Sequence, residues 1–123
     1  MRELEVRKQT TDLHYCGGDM NAQLKKGVLE LTILREINKG DLYGYELAKM
    51  LGEYYTDVDL SSYYTILRRL RRKELVSCYE GSKSEGPPRK YYQITNRGKE
   101  YLCQRMAEWK HIQQIQQKLV QRF

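Results

Sequence analysis

"SSYYTILRRLRRKELV", residues 61–76, decides the fold of this 123-residue chain. On a helical projection at about 100° per residue, Leu60, Tyr63, Ile66, Leu67 and Leu70 gather on one face, and Ser61, Ser62, Thr65, Arg68, Arg69 and Arg72 gather on the other. An ordinary solvated face mixes acids with bases and gains pairs at i,i+4. Here no carboxylate stands between Ser61 and Lys73. The spacing therefore predicts an amphipathic helix with an anchoring side and a donor-rich side. Its crowded cations repel one another until an anion neutralises them.

Outward from this helix, the pattern changes character on both sides. Upstream, Leu24, Val28, Leu31 and Leu34, with Leu29, Ile33 and Ile37, recur at three and four, and "NKGD" (residues 38–41) closes that helix at Gly40. "LYGYELAKMLGEYY" (42–55) reads as a second, shorter helix with Leu47, Leu51 and Tyr54 on one side. Within "TDVDLSS" (56–62), Asp59, Ser61 or Ser62 can cap the third helix, which is expected to run to about Lys73. Downstream, "VSCYEGSKSEGPPRKYYQIT" (76–95) places β-prone residues either side of a Gly/Ser/Pro-rich centre, the pattern of a hairpin with strands at 76–80 and 89–94 and its tip at 82–88. Thr95 then caps a long final helix through about Gln121, with Leu102, Met106, Trp109, Ile112, Leu119 and Val120 in one broad arc beside Tyr101. That arc is wider than so small a core can cover. The first nineteen residues hold no sustained period and read as a tail or an appended remnant, with Met20 a candidate natural start.

Totals narrow the function classes. Lys plus Arg number 22 against 16 Asp plus Glu, a net charge of +6 that favours a polyanionic partner. Cys16, Cys78 and Cys103 are odd in number and widely spaced, without metal-ligand or CxxC spacing. They fit a reducing cytoplasm, and no apolar run approaches the roughly 18 residues a membrane helix needs. His14 and His111 lack a paired nucleophile, metal cluster or phosphate-binding glycine loop, so the residues favour neither an enzyme nor a cofactor or metal site.

Double-stranded DNA suits the third helix best. Small hydroxyl residues at its start let the N-terminus approach phosphate, while Arg68, Arg69 and Arg72 can reach backbone or guanine edges in a major groove about 12 Å wide. Lys83 in the hairpin tip, with Arg89 and Lys90 beyond it, would lie beside that helix, whereas Arg71 and Lys73 fit ordinary surface charge. The competing reading is a small interaction module for protein or RNA contacts. Beyond "KYY" and "SSYY" the sequence offers no clustered aromatic stacking platform, which counts against single-strand binding.

Three motifs in order, "LYGYEL" (42–47), "YYTILRRL" (63–70) and "GPPRKYYQIT" (86–95), followed by Gly98, resemble the PadR-type transcriptional regulators over about residues 24–120. The resemblance implies a mainly α fold with a small β-hairpin wing: a winged helix-turn-helix over 20–95 and a C-terminal dimerisation helix over 96–123. It implies groove or backbone contacts for Ser62, Tyr64, Thr65, Arg68, Arg89 and Lys90. Tyr64 is open between core packing and a phosphate contact; of the pair flanking Gly44, Tyr43 is assigned to phosphate and Tyr45 to packing. The chain departs from the family pattern at Glu74, where glycine is usual, at Arg71 and Lys73, where acids are common, and at Pro87, where the wing often has another arginine.

A single short C-terminal helix resembles the smaller PadR subgroup, some of whose members bind flat aromatic molecules between paired tryptophans at the dimer centre. By that resemblance Trp109, in "MAEWKHIQQIQQKL" (106–119), would stack on an aromatic effector, with Met106, Gln113, Glu30 and Leu31 as neighbours. The homodimer seam would comprise Leu24, Val28, Leu102, Met106, Trp109, Ile112 and Leu119. Trp109 could equally fill a helix–helix seam, but Gln113 and Gln116 interrupt the apolar arc and would be costly inside a dry one. The function expected is operator binding by a homodimer, repressing transcription at a roughly palindromic site and released by a small aromatic ligand.

Overall fold

The computed structural model describes residues 21–81 and 88–122. The expected N-terminal tail and the assignments to Lys83 and Pro87 lie outside the described residues. Helix α1 spans Ala22–Lys39 and opens at Asn21, whose side-chain oxygen accepts the N–H groups of Gln23 and Leu24 at 3.0 and 3.3 Å. This satisfies two donors that the first helical turn cannot. Strand β1 (Leu42–Tyr43), helix α2 (Gly44–Gly52), helix α3 (Leu60–Arg72), strands β2 (Val76–Gly81) and β3 (Arg89–Ile94), and helix α4 (Asn96–Val120) follow.

The core forms where the apolar faces of α1, α2 and α3 meet one side of the sheet. Ile33, Leu34, Leu47, Leu67, Leu70 and Val76 are among its fully buried side chains. The antiparallel sheet has three strands in the order β1-β3-β2, with Leu42 opposite Tyr92 and Val76 opposite Ile94. The sequence pattern predicted only a two-stranded hairpin: Leu42 and Tyr43 were expected at the head of the second helix and instead pair with the wing. A two-residue strand has too short an alternation to be seen in a sequence. Two apolar assignments also change. Tyr54 lies past the end of α2 and is exposed, and half-buried Tyr55 packs against the core in its place. Leu60, at the first turn of α3, is 49% exposed, too far toward the helix end for the core to cover it.

α3 ends in a turn that closes two of its free carbonyls: the Leu75 N–H bonds Leu70 O at 3.0 Å and the Glu74 N–H bonds Arg71 O at 2.9 Å. That closure requires the left-handed conformation at residue 74, and Glu74 has φ 62°. Here a side chain carries a strain that glycine would avoid. The next junction is tighter still. The Thr95 hydroxyl donates to the Glu74 and Leu75 carbonyls and accepts the Gly98 N–H at 2.9 Å, capping α4. A Cβ on Gly98 would stand 2.1 Å from Leu75 O, so only glycine lets α4 start flush against the wing.

Candidate nucleic-acid interface

α3 is oriented by its own amphipathicity: Tyr63, Ile66, Leu67 and Leu70 are buried, which turns Ser61, Thr65, Arg68 and Arg72 outward as exposed residues. Ser62 is half-buried. Thr65 donates its hydroxyl to Ser61 O at 2.9 Å and accepts from Arg68 Nη2 at 3.3 Å, which leaves the rest of the Arg68 guanidinium facing solvent. Among the described residues no carboxylate lies within ion-pair distance of Arg68 or Arg72.

Arg69 is a correction. Its Nε donates to the Glu30 carboxylate on α1 at 3.1 Å, and only 19% of its side chain is exposed. Glu30 also receives Lys73 Nζ at 3.5 Å and the Tyr101 hydroxyl of α4 at 3.3 Å. One carboxylate thus ties α1, α3 and α4 together and takes Arg69 out of the free cations expected to face DNA. Glu30 itself is committed to this network rather than waiting for a ligand. Projection of one helix cannot reveal this, because the neutralising acid comes from another helix.

Beside α3 a cleft of about 540 Å³ is lined by Tyr43, Gly44, Tyr45, Tyr64, Arg68, Arg89, Lys90 and Tyr92. It brings the cation of α3 together with the two expected on the wing. Tyr64 both packs and faces the cleft: a Cβ on Gly44 would come within 2.7 Å of its ring, so glycine at the head of α2 makes room for it. Tyr45, assigned to packing, is instead 53% exposed. Arg89 lies over the Tyr43 ring at 4.6 Å. Tyr91, Tyr79 and Asp41, which the sequence did not single out, continue from that pair: Tyr91 meets the Tyr43 ring, Tyr79 stacks on Tyr91, and the Tyr79 hydroxyl donates to Asp41, a bond that is the first cause holding the phenol above its usual pKa.

The ligand and seam residues separate into two groups. Leu24, Val28, Leu31, Met106 and Trp109 line one cleft of about 440 Å³ between α1 and α4, with Gln23, Gly27, Thr32, Arg35 and Tyr55. Glu30 faces a smaller neighbouring cleft with Trp109 and Ile112, and Gln113 is exposed farther along α4. Leu102 is a second correction: it belongs to the core of its own chain, because the first turns of α4 pack on α1 and the wing. From Trp109 onward α4 leaves that core, and Ile112, Ile115 and Leu119 are exposed. Among the described residues no helix is long and apolar enough to cross a membrane, and no cluster of three or more His, Cys, Asp or Glu is placed to hold a metal ion.

The family model described as the transcriptional regulator PadR-like family matches residues 33–104. A PadR-like transcriptional regulator from Bacillus cereus is similar in structure, with a TM-score of 0.74 and 37% identity over 81% of this chain and 98% of its own. A PadR family transcription regulator from Clostridium difficile follows with a TM-score of 0.68 and 32% identity over 75% of this chain and 97% of its own. An uncharacterised protein of Lysinibacillus sphaericus is 33% identical over 99 residues, 78% of this chain and 91% of its own. With a three-stranded wing beside a helix that presents unpaired arginines, and with these relatives, the chain belongs to the PadR-like family of DNA-binding transcriptional regulators, which are not enzymes.

Proposed function

We propose that the chain is a repressor that binds a roughly palindromic operator as a homodimer and is released by a small aromatic ligand. The observation that carries the reading is the exposed Ser61–Thr65–Arg68–Arg72 side of α3, free of internal carboxylates and continuous with the cleft that holds Arg89 and Lys90. Hydroxyls and arginines on one helix face, with wing cations at its flank, match what a major groove and its bordering phosphates offer.

The second half of α4 supports the homodimer. Its exposed Trp109, Ile112, Ile115 and Leu119 form an apolar row that a twofold-related copy of itself would cover. Two copies would set their α3 helices in successive major grooves, about 34–36 Å apart. The α1–α4 cleft beside Trp109 falls within the roughly 300–1,000 Å³ of small-molecule pockets and is mostly apolar, as an aromatic ligand requires. A ligand there would touch both α1 and α4 and act only through its preference for one protomer angle.

Fluorescence titration of the protein with the duplex upstream of its own gene, in a salt series, tests the first part. Affinity is expected to fall steeply with salt and to exceed that for unrelated duplex. Arg68→Ala should weaken binding more than Lys110→Ala on α4; equal losses would place the DNA contact elsewhere. For the ligand, a flat aromatic dye should quench Trp109 fluorescence and lower DNA affinity together. A dye that does neither removes the ligand from the reading and leaves the DNA contact standing.

A further inference from the structure

The wing carries a row of three tyrosines whose arrangement serves no core. Tyr43 on β1 and Tyr79 on β2 each stand opposite Tyr91 on β3. Tyr79 stacks on Tyr91 with centroids 5.6 Å apart and planes 13° apart, and Tyr43 meets Tyr91 edge-on at 5.8 Å. The row is anchored at one end, where the Tyr79 hydroxyl reaches across to Asp41. At its other end the Arg89 guanidinium lies 4.6 Å from the centre of the Tyr43 ring. Gly81 makes the stack possible, since a Cβ there would come within 2.7 and 2.8 Å of the Tyr91 ring.

These contacts fix a side chain that would otherwise be loose. An arginine carries several rotatable bonds, and holding it in one place costs entropy unless something already confines it. Stacking on an aromatic ring uses the face of the guanidinium and leaves its N–H edge free, the edge that grips a phosphate through two parallel hydrogen bonds. Among the described residues no carboxylate pairs with Arg89, and it lines the same cleft as Arg68 and Lys90. We infer that the Tyr79–Tyr91–Tyr43 row holds Arg89 as a preset clamp for a DNA backbone phosphate. Tyr79 and Tyr91 are then positioning residues for DNA binding without touching DNA. The inference rests on the DNA-binding reading of the same cleft.

A double-mutant cycle separates the clamp from that reading. The probe is a fluorescein-labelled duplex of arbitrary sequence, about three helical turns long, because a backbone contact does not depend on sequence. Binding of the full chain is measured by anisotropy over a salt series, with a thermal melt for each variant. Arg89→Ala should flatten the salt dependence by about 0.9 for each phosphate that Arg89 neutralises. Tyr91→Leu should weaken binding about five-fold when Arg89 is present, and hardly at all in the Arg89→Ala background. Tyr91→Phe, which keeps the stack, should bind as the unmutated chain does. Tyr79→Phe, which loses the Asp41 bond, should weaken binding about two-fold, and it carries the cycle where the melt shows Tyr91→Leu unfolded. Equal penalties for the tyrosine variants in both backgrounds would overturn the positioning role while leaving duplex binding intact. An unchanged salt slope in Arg89→Ala would overturn the clamp. A chain that fails to bind the duplex even at low salt would overturn the DNA reading and the clamp with it.

Discussion

α3 and α4 are both two-faced helices, yet they leave opposite kinds of surface uncovered. α3 buries its apolar face beyond the first turn in its own chain and presents arginines and hydroxyls outward. α4 buries Gly98 and Leu102 near its start, then carries Trp109, 39% exposed, and Ile112, 51% exposed, out into solvent. What a helix leaves unsatisfied names its partner. Exposed cations without carboxylates ask for a polyanion, whereas an exposed hydrocarbon row asks for another apolar face, which in the homodimer proposed above a second copy of α4 would supply.

The sharpest way to break this contrast is to change each half of α4 separately. Gly98→Ala in the anchored half should lower stability by about 3 kcal/mol, read from urea unfolding, because a backbone carbonyl 2.1 Å away cannot yield as a side chain can. Ile112→Glu in the free half should leave the fold intact and weaken self-association about a hundred-fold, since two copies each carry a carboxylate into the seam. Sedimentation velocity would show it. If Ile112→Glu unfolds the chain, or leaves its sedimentation unchanged, the two halves do not have the separate roles assigned to them.

Adjacent arginines sharpen the same contrast on α3. Arg69→Ala should cost about 1–2 kcal/mol of stability, less than a fully buried pair would, and leave the salt dependence of duplex binding nearly unchanged. Arg68→Ala should do the reverse, weakening duplex binding about ten-fold with little change in melting temperature. The smallest effect is expected at the end of α3: Glu74→Gly should stabilise by about 0.5–1 kcal/mol by relieving the left-handed strain, partly offset by removal of an exposed ion pair with Arg97. A destabilised Glu74→Gly chain would mean that this ion pair outweighs the backbone term.

Much of the winged core was legible because its signals are local. Tyr63, Ile66, Leu67 and Leu70 share one face at helical spacing, Thr95 caps α4 by its own side chain, and "KYYQIT" is rich in β-prone residues. Leu60 and Tyr54 were misplaced for the opposite reason. Their periodicity was correct, but helix ends carry no information about what covers them. Glu74 shows a subtler case: the family pattern made it unusual, and only its φ of 62° explains why glycine belongs there.

Within the site, exposed Thr65 and Arg68 followed from the period of one helix. The pairing of Arg69 with Glu30 lies 39 positions apart in the chain and could not be read from either helix alone. The Asp41–Tyr79–Tyr91–Tyr43–Arg89 chain likewise depends on strand register across three strands. From its order of residues alone, this chain specified which helix is amphipathic, where the two hairpin strands lie and which side carries positive charge, because those depend on neighbours within a few positions. Which arginines remain free, and which tyrosines hold one of them still, emerged only on packing, because the groups that neutralise or confine a charge arrive from distant parts of the chain.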